Sequence, residues 1–204
     1  LWKELHYNYR THIVHTQTFK LADMSRNYLV IGLSGVTNGG KTSLAARLKQ
    51  NFPHTHVMCM DDYFWPEHHE NLVYVEKVDH CNWDDLTAVN FKQMKNDLQQ
   101  ILEGIQKNPT KETRLVILEG IMIFNYKPLL PYFDKKYFFT LDKEECWQRR
   151  LTRVYNPADP PGYFDEVVWP MYQKHYKDVQ SHSDIVYLDG QKDRDEAFDQ
   201  VYAD

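Results

Sequence analysis

Eight consecutive residues, Gly35-Val36-Thr37-Asn38-Gly39-Gly40-Lys41-Thr42, place glycine, lysine and threonine at the spacing Gly-x-x-x-x-Gly-Lys-Thr. Glycines let a backbone close around phosphate oxygens, and their N–H groups face the anion together with the start of a following helix. A lysine in this position reaches the β and γ oxygens, and the threonine hydroxyl can ligate Mg²⁺. The run therefore reads as a P-loop for a nucleoside triphosphate, with residues Gly35, Val36, Thr37, Asn38, Gly39, Gly40, Lys41, Thr42 and Ser43 against ATP. Two acidic sites directly follow apolar runs: Asp61-Asp62 after Thr55–Met60, and Glu119 after Leu115–Leu118. A strand-end carboxylate beside a P-loop faces the metal that bridges the phosphates, so Glu119 joins Thr42 as a candidate Mg²⁺ group. Asp61 is the candidate base for an attacking hydroxyl, which must lose its proton as a phosphoryl group arrives. Spacing does not separate it from Asp62.

Arg149, Arg150 and Arg153 run into Tyr155-Asn156-Pro157-Ala158-Asp159-Pro160-Pro161-Gly162. Alone, such a helix reads as a solvated one with dipole-compensating arginines near its end. Beside a P-loop it reads as a lid, because guanidinium groups closing over a triphosphate supply transition-state charge and exclude water. Arg149 and Arg153 are four apart and share a helix face, so they are assigned to ATP while Arg150 points elsewhere. The expected catalytic set is Asp61, Lys41 and Arg149.

These groups need a scaffold that brings strand ends together. Tyr28–Leu33 is almost continuously apolar, as is a strand buried on both faces, and apolar positions 44, 45 and 48 recur at helical spacing just after the glycine loop. Thr55–Met60, Leu115–Leu118, Tyr137–Leu141 and Ile185–Leu188 supply four further strands. Asp84 is expected to cap a long helix carrying Leu86, Val89, Met94, Leu98, Ile101 and Leu102, with Gly104 as its stop. Asp142-Lys143-Glu144-Glu145 has capping-box spacing and opens a helix through about Val154; Asp165–Val179 and a short final segment are also helical. Strands alternating with helices imply an α/β protein with one parallel sheet covered on both faces.

The chain has 204 residues, about one domain's worth, and 42% of them are apolar, enough for one core. A net charge of −5 argues against broad binding to nucleic acid backbones. No apolar run approaches a bilayer span, and three cysteines spread along the chain suit a reducing, cytoplasmic setting. Residues 1–27 lack the apolar core of a secretory signal and are expected to be a flexible extension preceding a domain over 28–204.

The motifs together resemble the nicotinamide riboside kinases, a branch of the P-loop nucleoside-kinase superfamily that includes uridine kinases. The resemblance runs from Tyr28 to Tyr202 and rests on the P-loop, on Asp61-Asp62-Tyr63-Phe64, and on Leu118-Glu119-Gly120 with Phe124-Asn125-Tyr126-Lys127-Pro128-Leu129. It continues through Glu144-Glu145-Cys146, Arg149-Arg150, Thr152-Arg153-Val154-Tyr155, Pro161-Gly162-Tyr163-Phe164-Asp165, Val168-Trp169-Pro170-Met171-Tyr172 and Val186-Tyr187-Leu188-Asp189-Gly190. Residues 66–81 carry no part of it. It implies a single P-loop kinase domain with a five-stranded parallel sheet in the order 2-3-1-4-5, helices on both faces and a small helical lid. It further implies ATP-dependent phosphorylation of nicotinamide riboside at its 5′-hydroxyl, with Mg²⁺, by a monomer or weak homodimer. By this resemblance Asp61 meets the 5′-hydroxyl, Glu119 belongs to the Mg²⁺ shell, and Arg149 and Arg153 contact phosphates. Asp84 (or its rival Asp85) and Arg150 hold the ribose diol, Trp83 and Tyr155 sandwich the nicotinamide, and Asp159 joins the substrate-binding set. A cationic pyridinium suits aromatic faces.

Other signals are set aside. Ten histidines show no zinc-ligand spacing, and Cys59 reads as a core thiol. Trp169 and Met171 read as packing residues. Two competing functions stay in view: a uridine or cytidine kinase on the same scaffold, and a nucleotide-dependent interaction protein.

Overall fold

The computed structural model describes residues 26–204. The extension expected over 1–27 lies outside the described residues apart from Arg26 and Asn27. Strand β1 (Tyr28–Gly35) leads through the glycine loop into α1 (Lys41–Asn51), and β2 (His56–Cys59) ends in a 3-10 turn at Met60–Tyr63. A small antiparallel pair, β3 (Tyr74–Val75) and β4 (His80–Cys81), follows before α2 (Phe91–Lys107) and β5 (Arg114–Glu119). Then come β6 (Lys135–Thr140), α3 (Lys143–Leu151), a π-helical turn at Phe164–Val168 continuing into α4 (Trp169–Val179), β7 (Ile185–Asp189) and α5 (Arg194–Ala203).

The main sheet is parallel throughout, in the order β2-β5-β1-β6-β7. Counted within that sheet this is the expected 2-3-1-4-5; the labels shift only because the β3–β4 pair intervenes. Strand side chains alternate between two cores. Val30, Met58, Val116, Leu118 and Phe138 pack with Met94, Leu98 and Leu102 of α2 on one face. Ile31, Leu33, Ile117, Tyr137 and Phe139 pack with Leu44 and Leu48 of α1 and Phe198 of α5 on the other. Both faces are therefore dry, which is why these strands read as unbroken apolar runs. Because β1 sits between β5 and β6, its carboxyl end opens on the crevice where such sheets collect ligands.

Four local expectations are corrected. Asp84 caps no helix: Asn90 accepts from the Gln93 N–H at 3.0 Å to start α2, while Asp85 caps a separate turn at Leu86–Ala88. Gly104 does not stop α2, which runs to Lys107 with Asn108 as its cap. The Asp142 side chain makes no capping bond and instead accepts from Gln191 Nε2 at 2.9 Å, so the capping box is not formed. The helix it precedes ends at Leu151 rather than Val154, which leaves Arg153 beyond α3. Trp169 and Met171 pack under the lid beside Phe164 and Val168 and do not line the cleft described below. Among the described residues no helix is long and apolar enough to cross a membrane.

Candidate active site

A cleft of about 1560 Å³ runs along the carboxyl edge of the sheet, between the glycine loop and the lid. The loop's shape follows from its residues. Gly35 has φ +112°, and a Cβ there would lie 2.2 Å from the Phe139 carbonyl oxygen, so only glycine fits. Asn38 takes φ +59°, a left-handed conformation that asparagine tolerates better than most residues. Gly40 precedes α1, whose free N–H groups open toward the cleft.

Lys41 is only 6% exposed, and its Nζ donates to the carbonyls of Val36 (2.6 Å) and Gly35 (3.2 Å). Burial holds its pKa below the ordinary lysine value, opposed by the nearby charges of Glu119 and Asp61. Glu119, buried at the end of β5, accepts from Thr42 Oγ1 at 2.9 Å and from Cys59 Sγ at 3.3 Å. Cys59 is thus not merely a core thiol. Burial, reinforced by Glu119 and Asp61, pushes its pKa up to about 12, which keeps it protonated and donating.

Asp61 lies in the turn after β2 and lines the cleft; Asp62 does not. Asp61 is an exposed residue, and desolvation followed by Glu119 raises its pKa while Lys41 pulls it down. Asp84 also lines the cleft and is 7% exposed. Burial pushes its pKa up to about 7, with Arg150 acting against that rise and Asp159 and Asp61 adding to it. Asp85 is outside the cleft, its carboxylate used by the N–H and hydroxyl of Thr87 at 2.9 and 2.8 Å.

Three arginines enter the cleft. Arg149 donates to the Asn38 carbonyl at 3.3 Å, to the Gly190 carbonyl at 3.0 Å and to Glu145 at 2.6 Å. Arg153, from beyond the helix, donates to Asn38 Oδ1 at 3.1 Å. Arg150 has different partners from the other two: its buried guanidinium forms a two-pronged pair with Asp159, reaches Thr37 Oγ1 at 3.4 Å, and lies 4.0 Å over the Tyr155 ring. Trp83 and Tyr155 both line the cleft but keep different company. Trp83 meets Phe64 edge to face at 5.7 Å and donates from Nε1 to His80 at 3.2 Å, while the Tyr155 hydroxyl pairs with the side-chain amide of Asn38 at 3.2 Å.

No family model matches the chain. It is 43% identical over 183 residues to nicotinamide riboside kinase 1 of Rattus norvegicus, an alignment covering 86% of this chain and 92% of that protein. It is 37% identical over 187 residues to nicotinamide riboside kinase 2 of Homo sapiens, covering 86% and 80% of the two. The chain belongs to the nicotinamide riboside kinase family. A uridine kinase of Streptococcus agalactiae is a more distant relative, 26% identical over 82% of this chain and 90% of that one. Among solved structures, thymidylate kinase from Candida albicans superposes with a TM-score of 0.54 at 14% identity, over 87% of this chain and 90% of that one, which shows the shared fold.

In this kinase several site contacts go beyond those named from the sequence. Asn38 receives three lid side chains, Arg149, Arg153 and Tyr155, though the P-loop pattern leaves its position free. Gly190 closes against the loop: a Cβ there would stand 2.8 Å from the Gly39 carbonyl oxygen. Glu145 steers Arg149 from one helical turn away, a pairing that i,i+4 spacing could have suggested. Tyr163 accepts from the Trp83 N–H and donates to the Cys81 carbonyl, both at 3.0 Å, across eighty residues of sequence that no local pattern links.

Proposed function

We propose that the protein transfers the γ-phosphoryl group of ATP to the 5′-hydroxyl of nicotinamide riboside, giving nicotinamide mononucleotide and ADP. The observation that carries this is Asp61's place in the cleft, electrostatically coupled to Lys41 and Glu119 at the phosphate end and to Asp84 at the other, in a chain of this family. A nucleoside whose sugar meets Asp84 and whose base lies by Trp83 directs its 5′-oxygen toward Asp61. The Asp61 carboxylate takes the hydroxyl proton while the oxygen bonds to the γ-phosphorus and the bond to the β,γ-bridging oxygen breaks, so that ADP leaves. A pKa raised by burial makes this carboxylate a stronger base than a solvated aspartate.

Backbone N–H groups of residues 35–43, with Lys41, Arg149 and Arg153, hold the triphosphate and offset charge as it shifts to the leaving oxygen. To reach the phosphates Lys41 leaves the Val36 and Gly35 carbonyls. The Thr42 hydroxyl and Glu119 carboxylate form an oxygen pair that suits Mg²⁺. Among the described residues no three His, Cys, Asp or Glu side chains converge as a metal cage, and Mg²⁺ with nucleotides typically uses few protein ligands. When bound, the ion neutralises phosphate charge. Arg150 with Asp159 completes the sugar side, and Tyr155 supports that arginine. The three unpaired cysteines favour a cytoplasmic enzyme.

ADP release measured over nicotinamide riboside, uridine and cytidine, with Mg²⁺ and with EDTA, tests this reading. Nicotinamide riboside should be the preferred acceptor, and EDTA should abolish turnover. Equal or better turnover of uridine would make the protein a pyrimidine nucleoside kinase, and ADP release unaffected by any nucleoside would make it a nucleotide-dependent binding protein.

A further inference from the structure

The Trp83–Asp84 segment lies between β4 and the turn at Leu86–Ala88, so its backbone joins no helix or sheet ladder. Side chains hold it instead. The Trp83 N–H donates to the Tyr163 hydroxyl at 3.0 Å, the Asp84 N–H to Asn82 Oδ1 at 3.1 Å, and His175 Nε2 stands 2.7 Å from the Asp84 carbonyl oxygen. Tyr163 and Asp84 line the cleft; His175 does not. His175 is 3% exposed on α4, one layer behind the nucleoside end, and its own carbonyl accepts from Asn125 Nδ2 at 3.1 Å. It therefore ties α4 both to the segment following Glu119 and to the backbone of Asp84.

A carbonyl oxygen only accepts, so the ring carries its proton on Nε2 and donates. Burial holds the imidazole below its ordinary pKa and keeps it neutral. Its other nitrogen, Nδ1, is buried without a partner among the described residues. A hydrocarbon side chain would avoid leaving that nitrogen dry, so the imidazole's compensating gain at this position is the single short bond to Asp84.

We propose that His175 is a positioning residue for nucleoside binding: its Nε2–H pins the Asp84 carbonyl and thereby fixes where the Asp84 carboxylate stands in the cleft. The nucleoside is not touched by His175. Without the donor, the Asp84 peptide unit turns to seek another partner, and the attached side chain turns with it. The inference rests on the reading that Asp84 meets the sugar of the acceptor. It predicts an effect confined to that substrate, since the one hydrogen bond of the imidazole among the described residues goes to Asp84 and none goes to the glycine loop or Asp61.

Steady-state kinetics of His175→Leu, His175→Gln and His175→Asn test it, each measured against both substrates. Leu removes the donor. Gln carries a donor nitrogen at the reach of Nε2, whereas Asn carries one only at the reach of Nδ1. In His175→Leu and His175→Asn the KM for the nucleoside should rise about tenfold, with kcat and the KM for ATP within about twofold of wild type. His175→Gln should bring the nucleoside KM back to within about threefold of wild type. A purely structural histidine would instead lower kcat in proportion to the folded fraction and leave both KM values alone, and that pattern overturns the proposal. So does an equal rise of both KM values, or a His175→Gln variant no better than His175→Asn. If His175→Leu fails to fold, the Gln and Asn pair decides, and failure of His175→Gln to fold as well also overturns it. The acceptor used is whichever nucleoside the wild-type enzyme turns over best. Preference for uridine would then refute the substrate reading while leaving the His175 test intact.

Discussion

The two ends of the cleft are built in opposite ways. At the phosphate end the cradle is one unbroken stretch, Gly35 to Ser43, to which Glu119, Arg149 and Arg153 add side chains, and its ligand-facing atoms are largely backbone N–H groups whose directions are set by φ angles. At the nucleoside end Trp83 and Asp84 come from one segment and Arg150, Tyr155 and Asp159 from the lid, and Trp83, Asp84, Arg150 and Tyr155 are each held by a side chain distant in sequence. Backbone geometry tolerates changes in neighbouring side chains but not an added Cβ. Side-chain scaffolding behaves in reverse: its precision depends on buried hydrogen bonds one layer back, and losing one loosens recognition without dismantling the chemistry.

The sharpest way to break this contrast is at Asp61, which stands where the two ends meet. Asp61→Asn preserves size but cannot accept the hydroxyl proton, so kcat should fall by roughly 10²–10⁴-fold with a smaller change in the KM for ATP. If Asp62→Asn proves the damaging change, the cleft-facing acid has been misassigned. Next in size is Lys41→Ala, where kcat should drop by about 10²–10³-fold, the range for losing one preorganised charge donor. Lys41 is buried rather than solvated, so removing it also removes a desolvated charge, and thermal unfolding should show a folded, cooperative protein. Loss of the cooperative transition would mean that the loop depends on its lysine side chain and not on backbone geometry alone.

The nucleoside end should respond more mildly and more selectively. Trp83→Leu keeps an apolar wall but removes the aromatic face, and kcat/KM for nicotinamide riboside should fall a few-fold to about thirtyfold. Uridine should lose less, because it carries no charge for the ring to attract. Tyr155→Leu is expected to differ: its ring already lies under Arg150 and its hydroxyl on Asn38, so both substrates should suffer alike. Equal losses in Trp83→Leu would place the preference for a cation elsewhere. The smallest expected effect is on pH dependence. Asp84 is pushed up to about 7 and must be ionised to accept from two sugar hydroxyls, so nucleoside affinity should rise about tenfold between pH 6 and pH 8. Asp84→Asn should flatten that rise, and a slope surviving in the variant would assign it to another group.

The glycine loop, the five strands and the acids at the ends of β2 and β5 are all legible in the sequence, because each is a short-range demand. A φ of +112° at Gly35 calls for glycine wherever the chain goes, and a strand covered on both faces must be apolar at every position. Helix limits were read less well. The apolar positions from Leu86 to Leu102 continue across a break at Val89, where that residue bridges to Phe64, so periodicity merged a turn and a helix into one.

What the tertiary structure alone decided is which side chains face one another. Asp61 and Asp62 are chemically equal in sequence, and so are Asp84 and Asp85; only the path of the chain through two short turns puts one of each pair in the cleft. Helix spacing sets Arg150 apart from Arg149 and Arg153 but does not say what it meets. Folding brings Asp159 and Tyr155 back over it and sets it beside Thr37, 113 residues earlier. His175 and Asp84 are 91 residues apart, and neither has a local pattern that names the other. Local conformation is governed by sterics within a few residues of each backbone unit, whereas the partner of a buried polar group is whatever donor or acceptor the packed layers bring within about 3 Å of it.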